Sequence, residues 1–194
     1  VIGNDKNSSR VNDLKKGIDQ TCEITKEDLA KSKNLKITDK VNDISDANIY
    51  IVTVPTPVDK RNVPDLEPLK NANKTISKFL KKNNIVIYES TVFPGCTEEF
   101  CVPILEKHSN LKYNIDFFCG YSPERINPGD KDHSLTKIIK ITSGSNFDSA
   151  NFIDKLYSQI ITAGTYKVSS IKIAEYAKVI ENTQRDLNIA LMNE

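Results

Sequence analysis

The chain has 194 residues, of which 27 are basic and 26 acidic, so it is long enough for one substantial domain and almost uncharged overall. Its lysines are interspersed with acidic residues, which predicts neither a nucleic-acid partner nor binding to an acidic membrane surface. Its apolar runs all fall short of the roughly 20 residues that span a bilayer.

The number and spacing of the cysteines and histidines indicate the redox state of the compartment and argue against a metal site. The four cysteines form no CxxC pair, and there are only two histidines. We therefore expect no metal, and reduced thiols in a cytoplasmic protein. The chain opens on VIGND without a methionine and stops on IALMNE within a helical pattern. We expect it to be a fragment of a longer protein.

Short apolar runs alternate with helical patterns along the whole chain. The runs predict strands at 1–3, 35–38, 48–54, 85–90, 116–120, 138–142 and 166–168. The helical patterns predict helices at 8–16, 24–33, 66–82, 97–107, 146–160 and from 170 onward. Thr25 and Asp65 are placed to cap two of these helices. The alternation predicts an α/β fold with a doubly wound, mostly parallel sheet of Rossmann type.

Open parallel sheets bind ligands beyond the carboxyl ends of their strands, and polar residues follow several of the predicted strands. Asp5 ends the first run; it could accept hydrogen bonds from a ribose, or serve as a helix cap or turn former. Thr56, between two prolines, could line a shelf for a ligand or belong to a plain turn. Thr91 could position a water or cap the next helix.

The stretch YSPERINPGD at 121–130 follows a buried strand and holds Glu124 and Arg125 between Pro123 and Pro128. Proline fixes φ and restricts the residue before it, so this loop is predicted to be stiff. The loop is therefore expected to hold one carboxylate and one guanidinium rigidly at the end of a strand. Arg125 could alternatively form an ion pair with Asp130.

Lys178 and Asn182 are four residues apart in a helical pattern and therefore lie on one helix face. Together they could donate hydrogen bonds to a developing oxyanion. An exposed ion pair of Lys178 with Glu175 or Glu181 would explain the lysine equally well.

Taken together, the motifs resemble those of the UDP-glucose/GDP-mannose dehydrogenase family. The matching stretches are VIGND, VTVPTP, YESTVFPGCTEE, GYSPERINPGD, ITSG and AEYAKVIENTQRDLNIALMNE. They occur in the family's order and cover nearly the whole chain. The chain is most similar to the branch of UDP-N-acetylhexosamine 6-dehydrogenases, which serve capsular polysaccharide synthesis.

The resemblance implies an NAD-dependent, two-step oxidation of the C6 alcohol of a UDP-sugar to a carboxylate, with the aldehyde stage held on a cysteine. It implies that residues 1–168 are the remainder of an NAD-binding domain whose first strand, first helix and glycine-rich loop lie upstream. Residues 169–194 would begin a linking helix through which family members form homodimers. The nucleophilic cysteine would lie downstream, so we expect the 194-residue chain alone to be inactive.

The resemblance also assigns roles to the residues of the site. Glu124 matches the carboxylate that acts as base or activates water, and Thr91 the hydroxyl that positions this water. Lys178 and Asn182 match the pair that binds the substrate and stabilises charge on the C6 oxygen.

For the cofactor, Asp5 matches the residue that binds the NAD ribose and Arg10 a neighbour on the adenosine side. Thr56 and Thr91 match residues on the nicotinamide side. Arg125 is a candidate contact to the substrate or to a neighbouring subunit. Pro128 stands where UDP-glucose members carry a second glutamate, which argues against UDP-glucose as substrate.

Two alternatives remain open from the sequence. A β-hydroxyacid dehydrogenase relative would share the sheet and the Lys–Asn helix, although it would not need the SPERINPGD stretch. A non-catalytic nucleotide-binding module would keep the fold without the chemistry.

Overall fold

The structure is a computed structural model that describes residues 1–21, 23–124 and 135–194. Two compact units are present, Val1–Ala47 and Asn48–Glu194. Within the described ranges, none of the helices combines the length and the apolar character that a membrane crossing requires.

The first unit is a small parallel αβ arrangement. Its elements are strand β1 (Ile2–Asn4), helix α1 (Ser8–Lys15), helix α2 (Lys26–Lys31), strand β2 (Lys36–Thr38) and a 3₁₀ turn (Val41–Ile44). Strands β1 and β2 pair in parallel, with Gly3 opposite Ile37. The predicted cap of α2 is confirmed, because the Thr25 side chain accepts a hydrogen bond from the Asp28 N–H.

The second unit is built on a five-stranded sheet in the order β3-β4-β5-β6-β7. Its strands are β3 (Ile49–Val52), β4 (Asn84–Tyr88), β5 (Phe117–Tyr121), β6 (Lys140–Gly144) and β7 (Thr165–Lys167). Its helices are α3 (Glu67–Ser77), α4 (Val102–Ser109), α5 (Phe147–Ser158) and α6 (Ile171–Asn193). All neighbouring strands are parallel except β5 and β6, which are antiparallel. The predicted α/β fold with a mostly parallel sheet is confirmed.

Strand β4 is buried along its whole length, because all five of its residues are covered. Ile85 and Ile87 of β4 pack with Ile153 and Tyr157 of α5 in one apolar cluster. Burial of each such side chain contributes about 1.5–3 kcal/mol. Strand β3 is covered on one face only. Ile51 is 48% exposed, whereas Tyr50 and Val52, which point to the other face, are buried.

Some helices begin at other residues than predicted. The expected helix at 97–107 begins instead with a π-helical turn, Thr97–Cys101, which leads into α4. Helix α3 has Leu66 at its N-cap position instead of the predicted Asp65, whose carboxylate accepts a hydrogen bond of 2.9 Å from the Glu67 N–H just outside the cap. Helix α6 begins after Ser170, whose hydroxyl accepts from the Ile173 N–H. The domain boundary at 168 stays a prediction.

Candidate active site

Three parallel strands of the second unit end at the same edge of the sheet. Tyr88 of β4 lies opposite both Val52 of β3 and Tyr121 of β5. Thr91 follows Tyr88 by three residues, and Glu124 follows Tyr121 by three residues. Because parallel strands run in register, both predicted site residues leave the sheet at the edge where open α/β sheets bind ligands.

Helix α6 reaches the same loop. The Lys178 ammonium donates a hydrogen bond of 2.6 Å to the backbone carbonyl of Glu124. Asn182 lies one helical turn further along α6, a rise of about 6 Å, on the same face. The structure thus brings Lys178 to Glu124, as predicted, and leaves the Glu124 side chain exposed.

Thr91 is exposed, and the residue before it is held on both sides. The Ser90 hydroxyl donates to the Val54 carbonyl at 2.7 Å, while the Ser90 carbonyl accepts from the Tyr121 hydroxyl at 3.1 Å. The next helical segment has Cys96 at its N-cap position, so the alternative in which Thr91 caps that helix is wrong. The Thr91 side chain is instead exposed next to Ser90, whose hydrogen bonds fix the end of the strand.

Sequence reasoning missed a buried ion pair beside this strand end. The Lys140 ammonium lies 2.8 Å from the Glu89 carboxylate, and the two side chains are only 4% and 14% exposed. The Tyr157 hydroxyl also donates to Glu89, and the Lys140 ammonium lies 5.2 Å from the centre of the Tyr157 ring. Burial, with the neighbouring Glu89 charge, raises the pKa of the Tyr157 phenol.

This pair lies close to the strand ends that precede the predicted site residues. Glu89 directly follows β4, two residues before Thr91, and Lys140 begins β6. The Ser122 hydroxyl, two residues before Glu124, donates to the Ile141 carbonyl at 2.6 Å, next to Lys140. A lysine within the apolar run IIKI was the sequence signal for this pair.

A second carboxylate, that of Glu175, is also buried. The interpretation of Lys178 as part of an exposed ion pair would place this carboxylate at the surface. Glu175 is fully buried, and its carboxylate accepts hydrogen bonds from the Gly95 N–H at 2.5 Å and from the Thr97 N–H at 2.9 Å. It is therefore not the exposed partner that an ordinary surface ion pair of Lys178 would need. Burial raises the pKa of Glu175, and the backbone donors partly offset this effect.

Thr56 follows strand β3 at the same edge of the sheet. Its hydroxyl oxygen is buried and has no hydrogen-bond partner among the described residues. A buried hydroxyl left without a partner costs about 1–3 kcal/mol, so its presence favours a ligand that completes it. The residue thus fits the predicted contact to the nicotinamide side of NAD.

The predicted adenosine contacts lie in the first unit. Asp5 follows β1, and its carboxylate accepts a hydrogen bond of 2.8 Å from the Asn7 N–H, as a turn former does. Its other oxygen is 3.9 Å from Arg10 Nε, and both side chains remain more than a third exposed. The turn-former interpretation of Asp5 is therefore confirmed, and its role as a ribose ligand stays a prediction.

Two features of the predicted substrate loop lie outside the described residues. These are Arg125, proposed from the sequence as a substrate or subunit contact, and Pro128, which stands in place of a second glutamate. Their roles stay predictions.

Comparison with known proteins identifies the family of the chain. Residues 1–161 match the model of the UDP-glucose/GDP-mannose dehydrogenase family, NAD binding domain. The chain is 58% identical to UDP-N-acetyl-D-glucosamine 6-dehydrogenase of Pseudomonas aeruginosa and 57% identical to that of Salmonella typhi. Both matches take in the entire chain but only 46% of the relative, so the chain spans about half the length of these proteins.

Solved structures give the same result for the fold. UDP-D-ManNAc dehydrogenase from Pyrococcus horikoshii superposes with a TM-score of 0.90 at 32% identity, over 100% of this chain and 46% of that one. GDP-mannose dehydrogenase from Pseudomonas aeruginosa gives a TM-score of 0.89 at 21% identity over the same shares, which supports the fold alone. The chain belongs to the UDP-glucose/GDP-mannose dehydrogenase family, of which it carries the NAD-binding domain.

Proposed function

We propose that the full-length protein oxidises the C6 alcohol of a UDP-N-acetylhexosamine to the uronic acid, with NAD as oxidant, for surface or capsular polysaccharide synthesis. The observation that carries this proposal is the hydrogen bond from Lys178 to the Glu124 carbonyl. It joins the helix with the predicted oxyanion donors to the loop with the predicted base. The relatives named UDP-N-acetyl-D-glucosamine 6-dehydrogenase support the substrate class.

The overall chemistry balances with two equivalents of cofactor. One alcohol, one water and two NAD⁺ give one carboxylate, two NADH and three protons. NAD supplies the hydride acceptor in each oxidation. The protein must therefore receive protons from the C6 hydroxyl and from water, and it must stabilise negative charge on the C6 oxygen.

Each of these tasks falls to a residue at the sheet edge. Lys178 and Asn182 donate hydrogen bonds toward the C6 oxygen and so stabilise the alkoxide character that develops as hydride leaves. Glu124 is the base, which takes up the proton of the C6 hydroxyl or that of the water that finally hydrolyses the acyl intermediate, and Thr91 orients this water. Because Glu124 is exposed at the end of a strand, its carboxylate is free to meet a bound sugar.

Each unit by itself has its own proposed contacts to NAD. In the first unit, Asp5 accepts hydrogen bonds from the adenosine ribose and Arg10 lies beside it. In the second unit, the Thr56 hydroxyl, which is buried without a partner among the described residues, donates to the nicotinamide side together with Thr91. Arg125 is proposed to contact the substrate or a neighbouring subunit.

We also infer a cytoplasmic homodimer with residues 1–168 in the NAD-binding domain and a linking helix that begins at 169. Support for the dimer comes from helix α6, along which large exposed apolar side chains recur at intervals of three, four and seven residues: Ile173, Tyr176, Ile180, Leu187 and Leu191. Such a stripe on an outer face is typical of a surface that another element covers.

The test is an NADH-absorbance assay of the full-length protein with UDP-GlcNAc, UDP-GalNAc, UDP-ManNAc and UDP-glucose. We expect turnover with an N-acetylated sugar, two NADH per uronic acid formed, and poor turnover with UDP-glucose. Absence of NADH with every N-acetylated sugar, or one NADH per product, would contradict the proposal. A β-hydroxyacid dehydrogenase would give one NADH from a small hydroxy acid.

A further inference from the structure

Glu175 joins helix α6 to a segment that lies 80 residues earlier in the chain. Its carboxylate accepts from the Gly95 N–H at 2.5 Å and from the Thr97 N–H at 2.9 Å, and the side chain is wholly buried. Charge-assisted bonds to backbone N–H groups are about twice as strong as neutral ones. A buried carboxylate with two such donors therefore fixes the two segments against each other.

The receiving segment is shaped for this carboxylate. Gly95 has a φ of +95°, which side-chain-bearing residues rarely adopt, and a Cβ there would lie 2.6 Å from Glu99 Oε1. The N–H of Thr97 is at the start of the π-helical turn, where backbone donors lack partners within the helix. Glu175 thus caps this turn from another helix. This contact gives a structural explanation for the PGCT stretch at 94–97.

The hydrogen bonds of Glu175 also affect the geometry of the candidate active site. Glu175, Lys178 and Asn182 occupy positions i, i+3 and i+7 of α6, so they share one face of a rigid helix. Thr91 precedes Gly95 by four residues on the segment that Glu175 holds. One carboxylate therefore sets the distance between the predicted oxyanion donors and the predicted water-positioning hydroxyl.

We propose that Glu175 is a positioning residue of the dehydrogenase, acting through Lys178, Asn182 and Thr91 without touching the substrate. The inference rests on the proposed function. Misplacing catalytic groups by about 1 Å costs on the order of 100-fold in rate, which sets the size of the expected effect.

The test compares Glu175→Gln with Glu99→Gln in the full-length enzyme. A glutamine offers one oxygen to the two N–H groups and turns an NH₂ toward the other, so one hydrogen bond is lost. Glu99 joins the same two segments through an exposed contact of 3.3 Å with Lys172, and it serves as the matched control. Rates are divided by the folded fraction, measured by near-UV circular dichroism, so that instability alone does not count as a catalytic effect.

For Glu175→Gln we expect a kcat about 100-fold lower per folded enzyme, with KM for NAD unchanged. For Glu99→Gln we expect wild-type values of both. A folded Glu175→Gln enzyme with wild-type kcat overturns the inference. If this variant does not fold, Glu175→Asp replaces it under the same criterion, since it keeps the charge but withdraws the carboxylate by about 1.5 Å, one carbon–carbon bond. Lack of turnover by the wild type would refute the proposed function instead.

Discussion

The Lys178 ammonium donates a hydrogen bond of 2.6 Å to the backbone carbonyl of Glu124. This bond links helix α6 to the loop that carries the predicted base. A lysine ammonium has three donors, and the Glu124 carbonyl accepts from one of them. The contact therefore holds the predicted oxyanion donor next to that loop.

Replacing Lys178 by methionine should remove most of the activity of the full-length enzyme. Loss of one oxyanion donor lowers kcat by about 10²–10³. KM for NAD should stay unchanged, since we assign cofactor contacts to other residues. Steady-state kinetics with the preferred UDP-sugar measure both. Lys172→Met is the control, because Lys172 is an exposed lysine six residues earlier on α6. Equal kinetics in the two variants would remove Lys178 from the mechanism.

The buried Glu89–Lys140 pair should matter more for stability than any exposed pair. Lys140→Met leaves a largely buried carboxylate without its cation, which costs about 3–5 kcal/mol of unfolding free energy. The double variant Glu89→Gln with Lys140→Met should recover part of this loss. Urea unfolding of the full-length protein measures both values.

The control for this pair is Lys70→Met. Lys70 lies 2.6 Å from Glu67, but both side chains are exposed, so the loss should stay below about 1 kcal/mol. Similar losses at Lys70 and Lys140 would show that burial of the pair has no special energetic weight.

Packing between β6 and α5 leaves no room for a side chain at Gly144. A Cβ at this position would lie 2.3 Å from the Ala150 nitrogen, which is backbone and cannot turn aside. We expect Gly144→Ala to lower the unfolding free energy by about 1–3 kcal/mol or more. Gly3→Ala is the matched control, because its nearest neighbour would be Leu35 Cδ1 at 3.7 Å, an ordinary contact. A urea midpoint unchanged by Gly144→Ala would contradict this packing.

Glu175 should make stability depend on pH in a defined direction. Burial raises its folded-state pKa above the ordinary value of 4.5, so the folded state binds this proton more tightly than the unfolded state. The resulting stabilisation is complete below about pH 4.5 and is lost as the pH rises through the raised pKa. The unfolding free energy of the wild type minus that of Glu175→Gln should therefore be larger at about pH 4 than at about pH 7. A difference that grows with pH would show that the backbone donors outweigh burial.

Local patterns of the sequence were sufficient for most elements and for where the candidate site residues lie on them. Thr91 and Glu124 follow apolar runs, and strand ends of a parallel sheet share one edge. Helical spacing put Lys178 and Asn182 on one face. What the sequence did not reveal depends on contacts between distant residues.

The partners of the buried charged side chains are of this kind, because they lie far away in the sequence. Glu89 and Lys140 are 51 residues apart, and Glu175 is 78 residues from Thr97. A glutamate in a helical pattern has the same local signature whether it faces solvent or caps another segment. Only packing of the elements decides between these cases, because a charge is buried only where donors meet it.

The most direct test of the central claim is a crystal structure of the full-length protein with NAD and the preferred UDP-sugar. We predict that the Thr91 hydroxyl, the Glu124 carboxylate, the Lys178 ammonium and the Asn182 amide each lie within about 3.2 Å of the C6 hydroxymethyl group or of one water bound to it. A sugar whose C6 lies at another part of the sheet edge, with Lys178 and Glu124 in contact only with each other, would contradict it.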